Sequence, residues 1–268
     1  MIDRRTVLAA GALPLAGCAS RLLRPQGAEI RVATLNIWHN AGDWTARRPL
    51  LIEALRGADA DAILLQEVLQ DLDKGLPNQA DMLAEALGGY SVRFMSTTPE
   101  GERKRFGNAV LSRSPVIDAA TRRLEPLNDH RTALRVRVRR DGRPVDLVCT
   151  HLAWQADAGP VRARQIADLV GWLPRDGVPL IIGGDFNAPL TEASLQPLRA
   201  RDLESALPPG AAATTLNPAK GHGARVIDHI LFERDAFTVA DARLFADQPT
   251  GGEYPSDHFG VVATLRLR

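Results

Sequence analysis

Apolar and polar positions fall along the chain in short blocks that read alternately as strands and helices. Residues 30–37 intersperse apolar positions with Arg31, Thr34 and Asn36, the pattern of a strand. Residues 47–55 carry Leu50, Leu51, Ala54 and Leu55 at helical spacing. Residues 62–65 form an unbroken apolar run, suited to a strand buried on both faces. A helix over 79–87 is stopped by Gly88-Gly89. Residues 108–111, 133–138 and 145–150 predict three more strands, the last two joined by a hairpin turn at Asp141-Gly142. An amphipathic helix over 161–173 ends at Pro174, and a buried strand follows over 180–183. Residues 208–223, rich in Pro, Ala, Gly and Thr, read as a long surface loop before closing strands over 226–232 and 261–267.

No internal repeat, charge block or linker interrupts residues 29–268, so they are read as one domain. Helices are interspersed with runs of consecutive strands, which points to an α/β protein with mixed sheets. The strands are too many for one sheet, and a two-sheet sandwich covered by helices accommodates them.

Composition narrows the class. The 268 residues are 45% hydrophobic and 24% charged, ordinary values for a globular protein. Lys plus Arg is 33 against 32 for Asp plus Glu, a net charge of +1, which argues against a nucleic-acid-coating protein. Two cysteines, Cys18 and Cys149, allow neither a disulfide scaffold nor a Cys-rich zinc site. No apolar run reaches the roughly 18 residues of an ordinary membrane-spanning helix.

The N-terminus reads as an address. Arg4-Arg5 before Thr6-Val7-Leu8 resembles a twin-arginine export signal, and Leu15-Ala16-Gly17-Cys18 resembles the bacterial lipobox. Residues 1–17 are therefore expected to be removed and Cys18 lipidated, with residues 18–28 as a tether and 29–268 as the domain. Loss of Arg4, Arg5 and Asp3 brings the net charge to zero. The expected location is the periplasmic face of the cell envelope, through the lipid anchor, with Ala19 in place of an aspartate favouring the outer membrane. A monomer is expected.

Polar residues recur at the ends of the apolar strands: Asn36, Glu67, His151, Asp185 with Asn187, Asp228, and Asp257-His258. Each alone has an ordinary explanation. Asp185 is a typical turn former and Glu67 a solvated strand end, while His229 suits a packed core histidine. His39, His130 and His222 lie in polar or Gly-rich segments expected to face solvent, and Trp154 is expected to be buried. The repetition is what matters, because strands can carry such groups to one sheet edge. The set is rich in oxygen and suits Mg²⁺ or Mn²⁺ better than zinc. Glu67, Asp257 and Asn36 could hold the cation. Asp228 and His258 could form a carboxylate–histidine pair that takes a proton from water. Asp185 and Asn187 could orient that water or the phosphate, and His151 could donate to a non-bridging oxygen.

Thr34–Trp38, Leu64–Val68, Gly107–Arg113, Thr150–Leu152, Gly183–Ala188, Ile227–Leu231 and Ser256–Val261 together resemble the endonuclease/exonuclease/phosphatase family. The resemblance implies a four-layer α/β/β/α sandwich of two mixed sheets flanked by helices, and Mg²⁺-dependent phosphoester hydrolysis by in-line water attack. It implies that Glu67, helped by Asn36 and Asp257, is the metal site and that Asp228–His258 is the catalytic couple. His151, Asp185 and Asn187 take catalytic roles on the phosphate and water. Asn108 and Arg131 are weaker candidates for substrate contacts, since Arg131 begins an alternating run with Arg135, Arg137 and Arg139 that also suits a solvated sheet face. The expected substrate is a nucleic acid, a phospholipid or a small phosphodiester. A phospholipase C- or sphingomyelinase-like head-group hydrolase and a non-catalytic binding protein on the same fold are the alternatives. The interval 69–79 is short and acidic, which weakens a tight DNA-binding reading.

Overall fold

Side chains of β1 (Glu29–Asn36) leave the strand alternately, and each set meets a different core. Ile30 and Val32 join an apolar cluster with Leu134, Val136, Leu147, Ile181 and Ile230. Ala33 and Leu35 join another with Leu51, Leu55 and Leu83. This two-sided burial places β1 inside a layered structure. The computed structural model describes residues 28–268, so the export, lipidation and Cys18 readings lie outside the described residues.

The chain continues through α1 (Trp44–Ala58), β2 (Ala62–Asp71), α2 (Gln79–Leu87), β3 (Ser91–Ser96), β4 (Lys104–Ser112) and β5 (Val116–Arg123). Then come β6 (Thr132–Arg140), β7 (Arg143–His151), α3 (Gly159–Trp172), β8 (Leu180–Asp185), β9 (Leu203–Ser205), β10 (Asp228–Glu233), β11 (Phe237–Phe245) and β12 (Gly260–Leu267). One six-stranded sheet has the order β11-β12-β1-β2-β4-β3 and the other β5-β6-β7-β8-β10-β9. Both are mixed: β1 with β2 and β7 with β8 run parallel, and the remaining pairs antiparallel. Each parallel pair is joined through a helix, α1 or α3, as parallel pairing requires.

Three clusters define the layers. The first lies between the sheets, the second between the first sheet and α1 with α2, and the third between the second sheet and α3. This is the expected four-layer α/β/β/α sandwich. Asp43 caps α1 by accepting from the Ala46 amide at 3.0 Å, and Asn78 caps α2 by accepting from Ala80 at 2.9 Å. Among the described residues no helix is long and apolar enough to cross a membrane.

The anticipated elements are present, most with longer bounds, although the strand expected over 226–232 is shorter and shifted to 228–233, and four strands are additions: β3, β5, β9 and β11. All four are sheet edges. The basic run on β6 departs from the solvated-face expectation. Arg135 is buried, and Arg135 and Arg137 share Asp146, with contacts at 3.1 and 2.8 Å, and reach out to Asp118 and Asp176. Cys149 lies between the sheets, where Gln66 Nε2 donates to its sulfur at 3.2 Å and burial pushes the thiol up to about 12, leaving it unreactive.

Candidate active site

The site is built where strands from both sheets end. On the second sheet, Asp185 sits opposite His151 on β7 and opposite Asp228 on β10, so pairing register alone brings these three residues abreast. Gly184 precedes Asp185 at φ +154°, and a Cβ there would stand 1.9 Å from the Thr150 carbonyl oxygen, so only glycine lets β8 lie this close to β7.

On the first sheet a bulge does the aiming. The register of β2 against β4 shifts between Leu65 and Val68, so Gln66 and Glu67 face Asn108 alone. Glu67 takes a left-handed φ of 57°, uncommon for a glutamate, and its side chain enters the cleft. Asn187 (φ 52°), Trp38 (φ 56°) and His39 (φ 32°) are held in the same region of backbone space. Such strain persists only where the surroundings fix it; five further residues outside the cleft, Asp59, His130, Asp141, Asp202 and Ala246, share this conformation.

The fixing group around Trp38 and His39 is Arg47, which sequence reasoning missed. Its side chain is wholly buried. It donates to the carbonyls of Ile37 (3.1 Å), Trp38 (3.1 Å), His39 (3.0 Å), Ala41 (2.7 Å) and Pro255 (2.8 Å). It thereby ties the turn after β1 to the segment that carries Asp257 and His258. Ser256 makes a parallel tie, its hydroxyl donating to the Asn36 carbonyl at 2.7 Å.

Within the cleft His258 Nδ1 lies 2.9 Å from Asp228 Oδ2, and its Nε2 lies 3.8 Å from Asp185 Oδ2. His151 Nε2 approaches the same Asp185 oxygen at 3.4 Å. Asn36 Nδ2 donates to Glu67 Oε1 at 3.1 Å and to Asp185 Oδ2 at 3.0 Å. The Asn187 amide N–H donates to Asp185 Oδ1 at 2.9 Å, and its side chain donates to the Leu152 carbonyl at 3.0 Å. Asn36 Oδ1 accepts from the Trp38 amide at 3.0 Å, so in this arrangement Asn36 positions the two acids.

Burial and neighbouring charge set the protonation states. Burial raises the Asp185 carboxyl to about 6, and the Asp228 charge adds to the rise. Burial works against a charged His258, but the Asp228, Asp185 and Asp257 carboxylates outweigh it and push the imidazole up to about 10. His151 goes the other way, held well below the ordinary range by burial, Arg131 and His258. The two histidines beside Asp185 therefore carry different charges, one cationic and one neutral.

Divalent-cation binding fits the residues present. Glu67 is largely buried with Asn36 as its one close hydrogen-bond donor, and burial raises its pKa. The charge of Asp257 raises it further. An acid in that position is stabilised in ionised form by a cation. Asp185, Asp228 and His258 also have ligand atoms within 4.8 Å of one another, but their own contacts use most of those atoms.

The cleft encloses about 530 Å³ and is lined by Glu67, His151, Asp185, Asn187, Asp257 and His258 among others. Arg131 lines it too, with a buried Nε that has no hydrogen-bond partner and an Asp129 oxygen no nearer than 3.5 Å. Asn108 is not on the wall, since its amide donates to the Thr132 backbone and hydroxyl oxygens, both at 3.0 Å. One expectation is extended and one corrected. His39 and His222 keep side-chain exposures of 36% and 38% as expected and also line the cleft, whereas His130 is exposed away from it. Trp154 is 64% exposed at the cleft mouth, not buried, and Phe106 is beside the cleft as well.

His229 is the packed core histidine that its strand position suggests, its Nε2 2.9 Å from the Ala188 carbonyl. Burial lowers it to about 4 from 6.5. The unfolded chain therefore takes up this proton before the folded one does as pH falls. Stability from this group is full above about 6.5 and is lost as pH drops toward about 4. At about 1.4 kcal/mol per pH unit this amounts to about 3 kcal/mol. Thermal melts between pH 7 and 4 are expected to fall more steeply for the parent than for His229→Gln, and equal slopes would contradict this assignment.

Comparison with known proteins agrees with this layout. No curated protein matches the chain in sequence. The human Nocturnin catalytic domain, solved with a bound sulfate anion, is 24% identical with a TM-score of 0.71, over 90% of this chain and 95% of that one. D. rerio TDP2, solved with a single-strand DNA product, is 16% identical with a TM-score of 0.74, over 89% and 99%. A Beutenbergia cavernae endonuclease/exonuclease/phosphatase is 23% identical with a TM-score of 0.72, over 90% and 72%. At these identities the likeness is one of fold. The family model for Endonuclease/Exonuclease/phosphatase proteins matches residues 33–258, which takes in every strand-end residue that builds the cleft, and the chain therefore belongs to that family.

Proposed function

We propose that the protein is a divalent-metal-dependent phosphodiesterase that cleaves its substrate by in-line attack of water on phosphorus. The observation that carries this reading is the convergence of the His258–Asp228 pair, Asp185 and the Glu67/Asp257 acids on one cleft, in a chain whose family hydrolyses phosphoesters. TDP2, solved with a single-strand DNA product, supports a nucleic-acid substrate, and the sulfate bound to Nocturnin supports a tetrahedral anion at the site. The Arg4-Arg5 and Leu15–Cys18 segments support an exported, lipid-anchored enzyme.

A cation held by Glu67 and Asp257 would supply charge neutralisation at a non-bridging oxygen and at the leaving group. The protein's own groups divide the remaining work. Asp185, raised to about 6, is matched to accept a proton from water near neutral pH, and the Asn187 amide and Asn36 fix its direction. His258, cationic and held by Asp228, offers Nε2–H to the charge that grows on the phosphoryl oxygens. This differs from the expectation that the His258–Asp228 pair takes the proton. With Asp257 taken up by the cation, Asp228 and Asp185 are the carboxylates that favour the charged imidazole, and in this reading it donates. Neutral His151 and Arg131 line the same space as further donors. The presence of all these groups argues against a non-catalytic binding protein.

A head-group hydrolase is the second reading, favoured by the apolar rim that Trp154 and Phe106 give the cleft. The test is turnover of bis-p-nitrophenyl phosphate, plasmid DNA and phospholipid liposomes with Mg²⁺, with Mn²⁺ and with EDTA. EDTA-sensitive turnover of at least one is expected. Release of a phosphorylated head group without nuclease activity would favour the second reading. No EDTA-sensitive turnover on any would overturn both.

A further inference from the structure

Two aromatic rings stand at the cleft without a part in the chemistry so far described. Trp154 is 64% exposed and Phe106 41% exposed. Among the described residues they are the only aromatics among the exposed large apolar side chains, and both line the cleft. Rings of this size are ordinarily covered, because each carries much apolar surface.

The two rings come from different sheets. Trp154 follows His151 by three residues, just beyond the end of β7 in the second sheet. Arg131 belongs to the same corner, since it directly precedes β6, whose Ala133 pairs with Thr150 of β7. Phe106 lies on β4 in the first sheet, opposite Leu69, which is two residues beyond Glu67 on β2. His39 meets it edge to face, with ring centroids 6.0 Å apart. One ring thus stands on each sheet's side of the cleft. Arg225, exposed before β10, lines the cleft as well.

Aromatic faces set among arginines match a single-stranded polynucleotide, whose bases stack on rings and whose phosphates meet cations. In a duplex the base faces are already covered by their neighbours. The short acidic interval 69–79, which begins opposite Phe106, offers no basic arm for a second strand. A lipid surface fits less well, because insertion calls for one contiguous apolar patch. Here the rings sit on different sheets, and His39, Arg131 and Arg225 share the lining with them.

We propose that Trp154 and Phe106 set the specificity of this cleft for single-stranded nucleic acid, each stacking on one base beside the scissile phosphate while Arg225 meets a flanking phosphate. This rests on the phosphodiesterase reading above and goes beyond it, naming the strandedness of the substrate and the residues that read it.

The test uses the full-length protein with Mn²⁺ and three fluorescein-labelled probes. These are a single-stranded DNA 12-mer, the same 12-mer as a duplex, and a single-stranded 12-mer with tetrahydrofuran spacers in place of its central nucleosides. Affinity is read by anisotropy in a His258→Ala background, where cleavage is slowed, and kcat/KM in the parent background. Each variant is checked for its fold by circular dichroism. The base-bearing single strand is expected to be bound and cut at least about tenfold better than either other probe. Trp154→Ala and Phe106→Ala should each reduce that preference by about fivefold to tenfold, the scale of one stacked base, through KM more than kcat. Trp154→Phe should restore most of it. Arg225→Gln should weaken binding of both single strands alike. Equal handling of the three probes by the parent, or an unchanged preference in both alanine variants, would overturn the proposal. Turnover of bis-p-nitrophenyl phosphate by the same preparation would then show that the phosphodiesterase reading survives. Head-group release from phosphatidylglycerol liposomes that is lost in Trp154→Ala, with no strand cut, would assign the rings to lipid and overturn the proposal too. Absence of EDTA-sensitive turnover of any phosphodiester would overturn the phosphodiesterase reading itself, with the binding measurement still deciding the role of the rings.

Discussion

Replacing His258 with alanine is expected to lower kcat for phosphodiester hydrolysis by about 10³-fold, equivalent to about 4 kcal/mol of barrier. His258 is buried among Asp228, Asp185 and Asp257, which hold it cationic well above neutral pH. A fixed cation in a water-poor cleft is worth most where charge accumulates, and in-line attack places added charge on the phosphoryl oxygens. Substrate binding relies more on other groups, among them Arg131, so KM should move much less than kcat. Asp228→Asn tests the partner: it keeps the shape but removes the charge 2.9 Å from Nδ1. A drop of about 10²-fold is expected, with the pH profile of kcat shifted as the imidazole loses its proton at lower pH. Because alanine leaves Asp228 buried without a partner, His258→Gln serves as the volume-preserving control. Turnover within threefold of the parent in both His258 variants would remove this residue from the mechanism.

Replacing Arg47 with methionine is expected to cost the fold about 3–5 kcal/mol, the range seen when a buried, fully engaged charged group is removed. That corresponds to a fall in Tm of about 10 °C for a domain of this size. The buried guanidinium serves five backbone carbonyls, and no aliphatic chain replaces those donors. Lysine should do little better, because three donors on a single nitrogen do not match a planar fork. Activity should fall with stability even in the surviving folded fraction, since Arg47 joins the turn bearing His39 to the segment bearing Asp257 and His258. A Tm within about 2 °C of the parent for Arg47→Met, measured by calorimetry, would contradict this account of the brace.

What could be read from the chain alone follows a physical division. The central strands were legible because burial on two faces demands apolar runs, as in residues 62–65 and 180–183. The four strands that escaped notice are the four edges, β3, β5, β9 and β11, where one side lacks a partner and polar residues intrude. β5, mostly exposed, carries the sequence Val-Ile-Asp-Ala-Ala-Thr-Arg-Arg, which has little strand signal. The site was legible as a repetition, polar groups at successive strand ends, because pairing register carries those ends to one edge. Long-range ties left no such mark. Nothing near Arg47 announces that it reaches Pro255, or that Asn108 turns to Thr132 and not to the cleft. His39 and His222 read as solvent-facing because Gly and polar neighbours mark loops, and a loop over a cleft has the same composition as any other. The exposure of Trp154 is hidden from the sequence for a related reason, since hydrophobicity alone does not tell a core position from an apolar rim.

The central claim is that this cleft directs water to phosphorus, and the most direct measurement follows the oxygen. Bis-p-nitrophenyl phosphate is incubated with the purified protein and Mn²⁺ in ¹⁸O-labelled water, with EDTA and His258→Ala as controls, and the products are analysed by mass spectrometry. The account predicts one ¹⁸O in p-nitrophenyl phosphate, none in p-nitrophenol, and no product in the EDTA control. Label in p-nitrophenol, or product formation unaffected by EDTA and by loss of His258, would contradict it.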